Sequence, residues 1–377
     1  SWGVFGVGPG QAAGPTRILV QGGLAMSLKS KAAVITGKER VEVREIDMPA
    51  PKRGEVLVRQ KAVALCTLEQ RFFTGVFPSY PGCWGHEVSG IVEAIGPDTC
   101  TPLKVGDHVA RGGGDACGEC YECAMGEDSQ CPAERERLKN QQNLGRPDGV
   151  SGIFGMSEYA SLNPRHLVKM ASSVPFEEAA LAEPIACAVA SANKLDIELG
   201  QTVVVIGAGA MGLANVTVAR ARGAFVVVSD LDARRREHAL KAGAHAVLDP
   251  TSGDIAEQLK AINDGRGADV VIVAIGVKPA NDDALRLLAH GGKMMLFASA
   301  HPAVPIPIDP NMVHRSGVWI TGSTSKNRKD LYQASLLISR GIINVKPMIE
   351  RVMPLDQAQQ AFEEAVKKDT YRIVVTM

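Results

Sequence analysis

Four cysteines lie close together in the segment GDACGECYECAMGEDSQC and could bind one metal ion. They follow the spacing Cys-x2-Cys-x2-Cys-x7-Cys, at Cys117, Cys120, Cys123 and Cys131. The intervening glycines allow tight turns that would bring four thiolates around one ion, which is a closed tetrahedral zinc site. An iron–sulfur cluster also accepts four thiolates, and Pro132 keeps that alternative open although the last gap is unusual. We predict a structural zinc, because a site filled by protein ligands leaves no position for substrate.

A second, dispersed set of residues could bind a catalytic metal: Cys66, the neighbours His86 and Glu87, and Glu183. Each has an ordinary alternative, since a lone histidine or cysteine is often only part of a core. Together, one thiolate, one imidazole and one carboxylate would leave a fourth zinc position open. Glu183 lies in an apolar helical run, where an ionised carboxylate is costly without a cation. Pro184 favours a helix start there, and acids are also common at helix starts for structural reasons.

The segment VVVIGAGAMG follows an apolar run and precedes a helical one, as a dinucleotide-binding loop does. Its glycines allow a tight turn, a close approach to a pyrophosphate and close helix packing. Asp230 ends the next apolar run and favours NAD, because its carboxylate would bind an adenosine ribose and repel a 2′-phosphate. Arg234, Arg235 and Arg236 weaken that argument. The predicted cofactor-binding residues are Gly207, Gly209, Ala210, Met211, Gly212, Asp230 and Arg235.

Two kinds of element must position these groups. From Lys31 to Ala110, short β-rich runs alternate with Pro and Gly, which indicates antiparallel strands. After Glu183, apolar strands alternate with helical segments, which predicts a parallel sheet covered by helices on both faces. The predicted division is an N-terminal extension (1–25), a first catalytic part (26–184), a nucleotide-binding domain (185–324) and a second catalytic part (325–377).

Composition restricts the class of partner. The 377 residues contain 41 basic and 41 acidic side chains, so the chain lacks the positive surplus that nucleic acid or an anionic membrane would select. This disfavours a zinc-ribbon nucleic-acid module. No apolar run is long enough for a membrane span, and residues 1–25, before the expected native start at Met26, lack the features of a secretory signal. We expect a cytoplasmic protein whose eight cysteines serve metals more than disulfides.

Taken together, these motifs resemble the zinc-containing medium-chain dehydrogenase/reductase superfamily, and within it the sorbitol and threonine dehydrogenase branch. The resemblance extends from Met26 to Met377 and rests on the Gly85-His86-Glu87 motif, the VGDHV turn, the cysteine segment and the glycine loop. It implies an α/β protein: a GroES-like β-rich catalytic domain plus a Rossmann domain with a doubly wound parallel sheet. It also implies that Cys66 and His86 are catalytic zinc ligands, that Glu87 or Glu183 completes the set, and that the chain forms a homodimer or homotetramer.

The sequence departs from the family after the first zinc cysteine. The hydroxyl and imidazole that relay the alcohol proton are replaced by Leu68 and Arg71, although Glu69 can still orient a ligand histidine. We expect the proton to leave through Glu87, Glu183 or water. Arg71 is either a solvated surface charge or a clamp for a substrate phosphate or carboxylate.

The predicted function is hydride transfer between a secondary alcohol or polyol and NAD, with zinc lowering the pKa of the hydroxyl. One catalytic and one structural zinc are expected. The alternatives are an NADP-linked or phosphorylated-polyol dehydrogenase and a non-catalytic dinucleotide-binding protein.

Overall fold

The computed structural model describes residues 28–112, 116–134, 136, 148–300 and 302–377. The predicted N-terminal extension, residues 1–25, lies outside this part of the chain. The strands are β1 Leu28–Gly37, β2 Arg40–Met48, β3 Val56–Ala64, β4 Gly82–Cys83, β5 Glu87–Ile95, β6 His108–Arg111, β7 Ser151–Gly152, β8 Tyr159–Leu162, β9 Leu167–Lys169, β10 Thr202–Ile206, β11 Phe225–Ser229, β12 Ala246–Leu248, β13 Ala268–Val273, β14 Leu288–Leu296, β15 Trp319–Gly322, β16 Ile349–Pro354 and β17 Arg372–Thr376.

The helices are α1 Thr67–Phe73, α2 Tyr121–Ala124, α3 Phe176–Ala179, α4 Ala182–Leu195, α5 Ala210–Ala221, α6 Ala233–Lys241, α7 Ile255–Ile262, α8 Lys278–Leu287, α9 Pro310–Ser316, α10 Arg328–Ser339 and α11 Ala358–Ala365. Within the described ranges, no helix combines the length and the apolar character that crossing a membrane requires.

The strands from β10 to β15 form a six-stranded sheet in the order β12-β11-β10-β13-β14-β15, and every pairing in it is parallel. Its central strands β10, β11 and β13 are almost entirely apolar because helices cover both faces. In β10, Val203 and Val205 face one core, whereas Val204 and Ile206 face the other. The order reverses direction beside β10, and the crevice at such a switch point is where dinucleotides bind. The predicted parallel sheet is confirmed.

The first part of the chain is β-rich, as predicted, and forms two sheets. One has the order β2-β1-β4-β7, and the other has the order β16-β17-β3-β5-β6-β9, with β8 also paired to β3. The last two strands of the chain therefore join the sheet that contains β3. The division at residues 184 and 324 stays a prediction.

Candidate active site

The strand register brings the first candidate metal group together. Ala64, the last residue of β3, lies opposite Glu87 on β5 and opposite Val374 on β17. Cys66 follows two residues after Ala64, and His86 immediately precedes Glu87. One ligand atom from each of Cys66, His86 and Glu87 lies within 4.8 Å of the other two. A thiolate, an imidazole and a carboxylate at this separation fit a zinc ion with one position open to a fourth ligand.

Glu69 orients His86 within this group. Its Oε1 lies 2.8 Å from His86 Nδ1, which donates to it, and the carboxylate also accepts from the backbone N–H groups of Cys66 and Gly85, at 3.2 Å each. Burial alone would lower the pKa of His86, but the adjacent Glu69 raises it well above the usual value. Because Nδ1 is engaged, Nε2 is the ring nitrogen left for a metal.

Glu87 is held by a buried arginine that the sequence reasoning missed. Arg372 Nη2 and Nε donate to the two Glu87 oxygens at 2.8 Å and 3.0 Å, and Nη2 also lies 3.6 Å from Cys66 Sγ. This two-point geometry fixes the plane of the carboxylate. Burial raises the pKa of Glu87 even though Arg372 opposes that shift. The available signal was a single cation at the start of the apolar strand RIVVT.

Glu183 lies in the same cleft but outside the group of close ligand atoms. It is buried in the first turn of α4, and its Oε1 accepts from Lys326 Nζ in an ion pair. Cys187 Sγ also donates to this oxygen, at 3.8 Å. Burial would raise the pKa of Glu183, but Lys326 holds it below the usual value. The geometry therefore favours Glu87 over Glu183 as the carboxylate ligand, and Lys326 is the second cation that the sequence reasoning missed.

Leu68 and Arg71 lie on α1, beside Glu69. Leu68 lines the cleft that contains the metal group, whereas Arg71 is absent from the described lining. The Arg71 guanidinium lies 5.6 Å from the centroid of the Phe77 ring. This cation–π contact fits a structural side chain. A substrate clamp at Arg71 has no support in the described residues.

The second candidate metal group is the cysteine segment. The sulfur atoms of four cysteines all lie within 4.8 Å of one another: Cys117, Cys120, Cys123 and Cys131. The backbone N–H of Cys117 donates to Cys131 Sγ at 3.3 Å, and that of Cys120 donates to Cys117 Sγ at 3.3 Å. These contacts stabilise thiolates, and the N–H of Cys117 contributes most to lowering the pKa of Cys131 to about 6. Four such sulfurs fit a closed tetrahedral zinc site.

The glycine loop joins β10 to α5. Gly207 has a φ of +98°, and a Cβ on Gly212 would lie 1.9 Å from the Gly207 carbonyl oxygen, so a side chain is excluded at position 212. Gly209 is the residue before α5, whose exposed N–H groups and dipole face the loop. Asp230 Oδ2 accepts from the Ala208 N–H at 2.7 Å, which places this carboxylate directly beside the loop.

The three arginines after Asp230 have different surroundings. Arg234 pairs with Asp232 at 2.9 Å, and Arg236 pairs with Asp249 at 2.7 Å. Arg235 extends toward the glycine loop, where a Cβ on Gly209 would lie 3.8 Å from its Nη1. Its other terminal nitrogen donates to the Lys368 carbonyl at 2.6 Å. Two of the three guanidinium groups are therefore already neutralised by carboxylates.

One cleft of 1210 Å³ extends from the metal group to the first turn of α5, the helix that follows the glycine loop. Met211, the second residue of α5, lines it and lies with its Sδ 3.4 Å from Arg372 Nη2. The cleft is also lined by Cys66, His86, Glu87, Glu183, Lys326 and Arg372. Fold and cleft together are those expected of a zinc-binding dehydrogenase that uses a nicotinamide cofactor.

Comparison with known proteins agrees with this class. Residues 52–172 match the alcohol dehydrogenase GroES-like domain, and residues 210–340 match the family described as zinc-binding dehydrogenase. The chain is 34% identical to an alcohol dehydrogenase of Geobacillus stearothermophilus over 346 residues, covering 89% of this chain and 96% of that protein. It is 29% identical to D-arabitol-phosphate dehydrogenase of Enterococcus avium, covering 93% of this chain and 98% of that protein.

Among solved structures, a zinc-binding dehydrogenase from Sinorhizobium meliloti with NADP bound superimposes with a TM-score of 0.81 at 26% identity, covering 93% of this chain and all of the other. The protein belongs to the zinc-dependent alcohol dehydrogenase family of medium-chain dehydrogenases and is an oxidoreductase. The predicted fold class, family and enzyme class are confirmed, and the alternative of a non-catalytic dinucleotide-binding protein is not supported.

Proposed function

We propose that the protein oxidises a secondary alcohol or polyol with NAD, and reduces the corresponding ketone in reverse. The observation that carries this proposal is the cleft that contains the Cys66–His86–Glu87 group and extends to Met211, at the start of the helix after the glycine loop. Arg372 contacts both Glu87 and Met211, and so links the metal group to the start of this helix. A substrate in this cleft can therefore contact the metal group and the nicotinamide at once.

The chain's own residues position the reacting groups. Glu69 fixes the ring of His86, and Arg372 fixes the carboxylate of Glu87. A zinc ion held by Cys66, His86 and Glu87 would supply Lewis acidity that lowers the pKa of a substrate hydroxyl. The route by which the hydroxyl proton leaves, through Glu87, Glu183 or water, stays a prediction.

NAD is the proposed cofactor because Asp230 lies beside the glycine loop, where its carboxylate would bind an adenosine ribose and repel a 2′-phosphate. The pairing of Arg234 and Arg236 with aspartates strengthens this argument, since neither guanidinium is free of a carboxylate. Arg235 remains beside the loop and is proposed to contact the pyrophosphate.

A phosphorylated polyol is the second candidate substrate. Arg165 and Arg328 line the cleft and are exposed, and arginine is well suited to phosphate recognition. The resemblance to D-arabitol-phosphate dehydrogenase supports this candidate. The NADP-bound structural relative supports an NADP-linked version of the reaction.

A panel of polyols, secondary alcohols, amino alcohols and sugar phosphates, each with NAD and NADP, tests the proposal by following reduced nicotinamide. We expect turnover of an uncharged polyol or alcohol with NAD. Turnover of only phosphorylated compounds, or only with NADP, would favour the second candidate. No turnover of any member by zinc-loaded protein would contradict the proposed function. The homodimer or homotetramer and the cytoplasmic location stay predictions.

A further inference from the structure

Lys326 lies in the cleft with unused hydrogen-bond donors. Its side chain is 12% exposed, and in the described part of the chain Glu183 is the one hydrogen-bond acceptor in contact with its Nζ. An ammonium group has three donors. Two of them are therefore available to a molecule in the cleft. Burial would lower the pKa of Lys326, but Glu183 raises it, so the side chain stays charged.

Lys326 belongs to a polar wall. Ser323, Thr324 and Ser325 precede it and line the same cleft. Ser325 has a φ of +67°, a conformation that non-glycine residues rarely adopt and that persists where the surroundings impose it. This wall, Ser323–Lys326, thus contributes three hydroxyl-bearing residues and one lysine to the lining of the cleft that contains the metal group.

The wall is anchored at its C-terminal end. Asn327 Oδ1 accepts from the Ser129 N–H at 3.1 Å, and Asp128 Oδ2 accepts from the Arg328 N–H at 3.3 Å. Both hydrogen bonds connect the residues that follow Lys326 to the residues that precede Cys131. The wall is therefore held in place by the cysteine segment, which suits a role in substrate selection.

We propose that Lys326 is a specificity-determining residue that donates a hydrogen bond to a substrate hydroxyl adjacent to the reacting carbon. The ion pair with Glu183 balances the ammonium charge, so the pair has no surplus charge for an anion and suits a neutral oxygen. This assignment rests on the proposed function and narrows its substrate class to polyols. A polyol gains the bond, whereas an alcohol without a second hydroxyl leaves the buried donors unpaired.

Glycerol and isopropanol test the assignment, because they share the carbon skeleton and the secondary hydroxyl and differ only in the flanking hydroxyls. The measured quantity is the ratio of kcat/KM for glycerol to kcat/KM for isopropanol, with NAD. Lys326→Met should reduce this ratio by about 10-fold to 100-fold, the value of one hydrogen bond to a charged group. The variant should also lose activity toward both substrates, because Glu183 loses its cation. This loss is common to both substrates and cancels in the ratio.

Three further variants make the test specific. Lys326→Arg keeps a charged donor and should restore most of the ratio, and Lys326→Gln keeps an uncharged one in case the Met variant does not fold. Lys329→Met, at an exposed neighbour outside the cleft lining, should leave the ratio unchanged. As a readout independent of turnover, calorimetry should show weaker glycerol binding to the NADH complex of Lys326→Met, with NADH affinity unchanged.

An unchanged ratio in a folded Lys326→Met protein would overturn the assignment, as would an unmodified protein that oxidises isopropanol but not glycerol. Equal losses in glycerol and NADH binding would indicate a structural role instead, and would also overturn it. Absence of turnover and of binding for every alcohol and polyol in the unmodified protein would reject the proposed function itself.

Discussion

Two buried ion pairs lie beside the metal group, and they differ in how the cation contacts its carboxylate. Arg372 holds both oxygens of Glu87, whereas Lys326 contacts one oxygen of Glu183. Removing one member of a buried pair leaves an uncompensated charge, at a cost of about 3–5 kcal/mol. Burial raises the pKa of both carboxylates; Lys326 outweighs that effect and holds the pKa of Glu183 below its usual value, whereas Arg372 only opposes the rise in the pKa of Glu87.

The pair with Lys326 decides how Glu183 should be tested. Glu183→Gln keeps an oxygen that accepts from Lys326 but leaves the buried ammonium without its counter-charge, so the melting temperature should fall. NAD affinity should be nearly unchanged. We expect turnover to fall on the order of 100-fold, as for a group that ligates or orients a metal site. Steady-state kinetics with zinc analysis measures this, and Glu198→Gln, at an exposed position, is the control. Turnover within a few-fold of the unmodified enzyme, with zinc intact, would show that Glu87 alone supplies the carboxylate.

At the scale of elements, β3 is the strand that assembles the site. Its last residue pairs with β5 on one side and β17 on the other, so Cys66, Glu87 and Arg372 meet at one end of the sheet. The short helix α2 has a different task, since Cys120 precedes it and Cys123 lies within it. A four-residue helix cannot be stable alone, and a bound metal would supply the missing free energy of folding.

The cysteine segment should therefore contribute more to stability than to chemistry. Cys120→Ser removes one of four thiolates, and we expect a clear fall in melting temperature because a structural zinc contributes directly to folding. Cys100→Ser, at an exposed cysteine outside both metal groups, is the matched control and should leave the melting temperature unchanged. An unchanged melting temperature in Cys120→Ser would show that the segment is not a structural metal site.

The loop between β10 and α5 leads to a prediction on cofactor choice. NAD should bind more tightly than NADP. Asp230→Ala should reduce the difference between the two affinities, because it removes the repulsion of the 2′-phosphate. Because Asp230 also accepts from the Ala208 N–H, Asp230→Asn is needed as a second variant, since it removes the charge and keeps an accepting oxygen. Dissociation constants for both cofactors measure the effect. Equal affinities of the unmodified protein for NAD and NADP would contradict this prediction.

Local sequence patterns predicted the strands and helices, but they did not predict the contacts between residues that are far apart in the chain. The run TVVVI followed by GAGAMG predicted a strand, a glycine turn and a helix, because the pattern and its cause are adjacent in the chain. Arg372 and Glu87 are 285 residues apart, and Lys326 and Glu183 are 143 apart. Their pairing depends on strand register and on how the two parts of the chain meet, which no local pattern encodes. Arg372, a cation at the start of the apolar strand RIVVT, was a sequence signal for the first pair, whereas Lys326 lies in the polar run STSKNRKD and gave none for the second.

At the scale of the whole molecule, the parallel sheet and the β-rich sheets contribute opposite walls of one cleft. Met211 comes from the helix after β10, and Cys66 and Arg372 come from the ends of β3 and β17. In the described part of the chain, the cysteine segment hydrogen-bonds to Asn327 and Arg328, and Gly118, Asp128 and Ser129 also line the edge of the cleft. The two metal groups therefore lie in different surroundings, one in the cleft and the other at its edge, and their loss should have separable effects.

Elemental analysis of freshly prepared active protein should find two zinc ions per chain, since the closed set of four sulfurs and the three-residue group in the cleft are distinct sites. Cys66→Ser should retain one zinc, lose turnover and keep most of its melting temperature, because the cleft site contributes chemistry. Cys120→Ser should also retain one zinc, but with a lowered melting temperature, because the cysteine segment depends on its metal to fold. One zinc or none in active unmodified protein would contradict the two-site prediction. Equal losses of melting temperature in the two variants would contradict the division of roles, because the zinc in the cleft would then contribute as much to folding as the zinc of the cysteine segment.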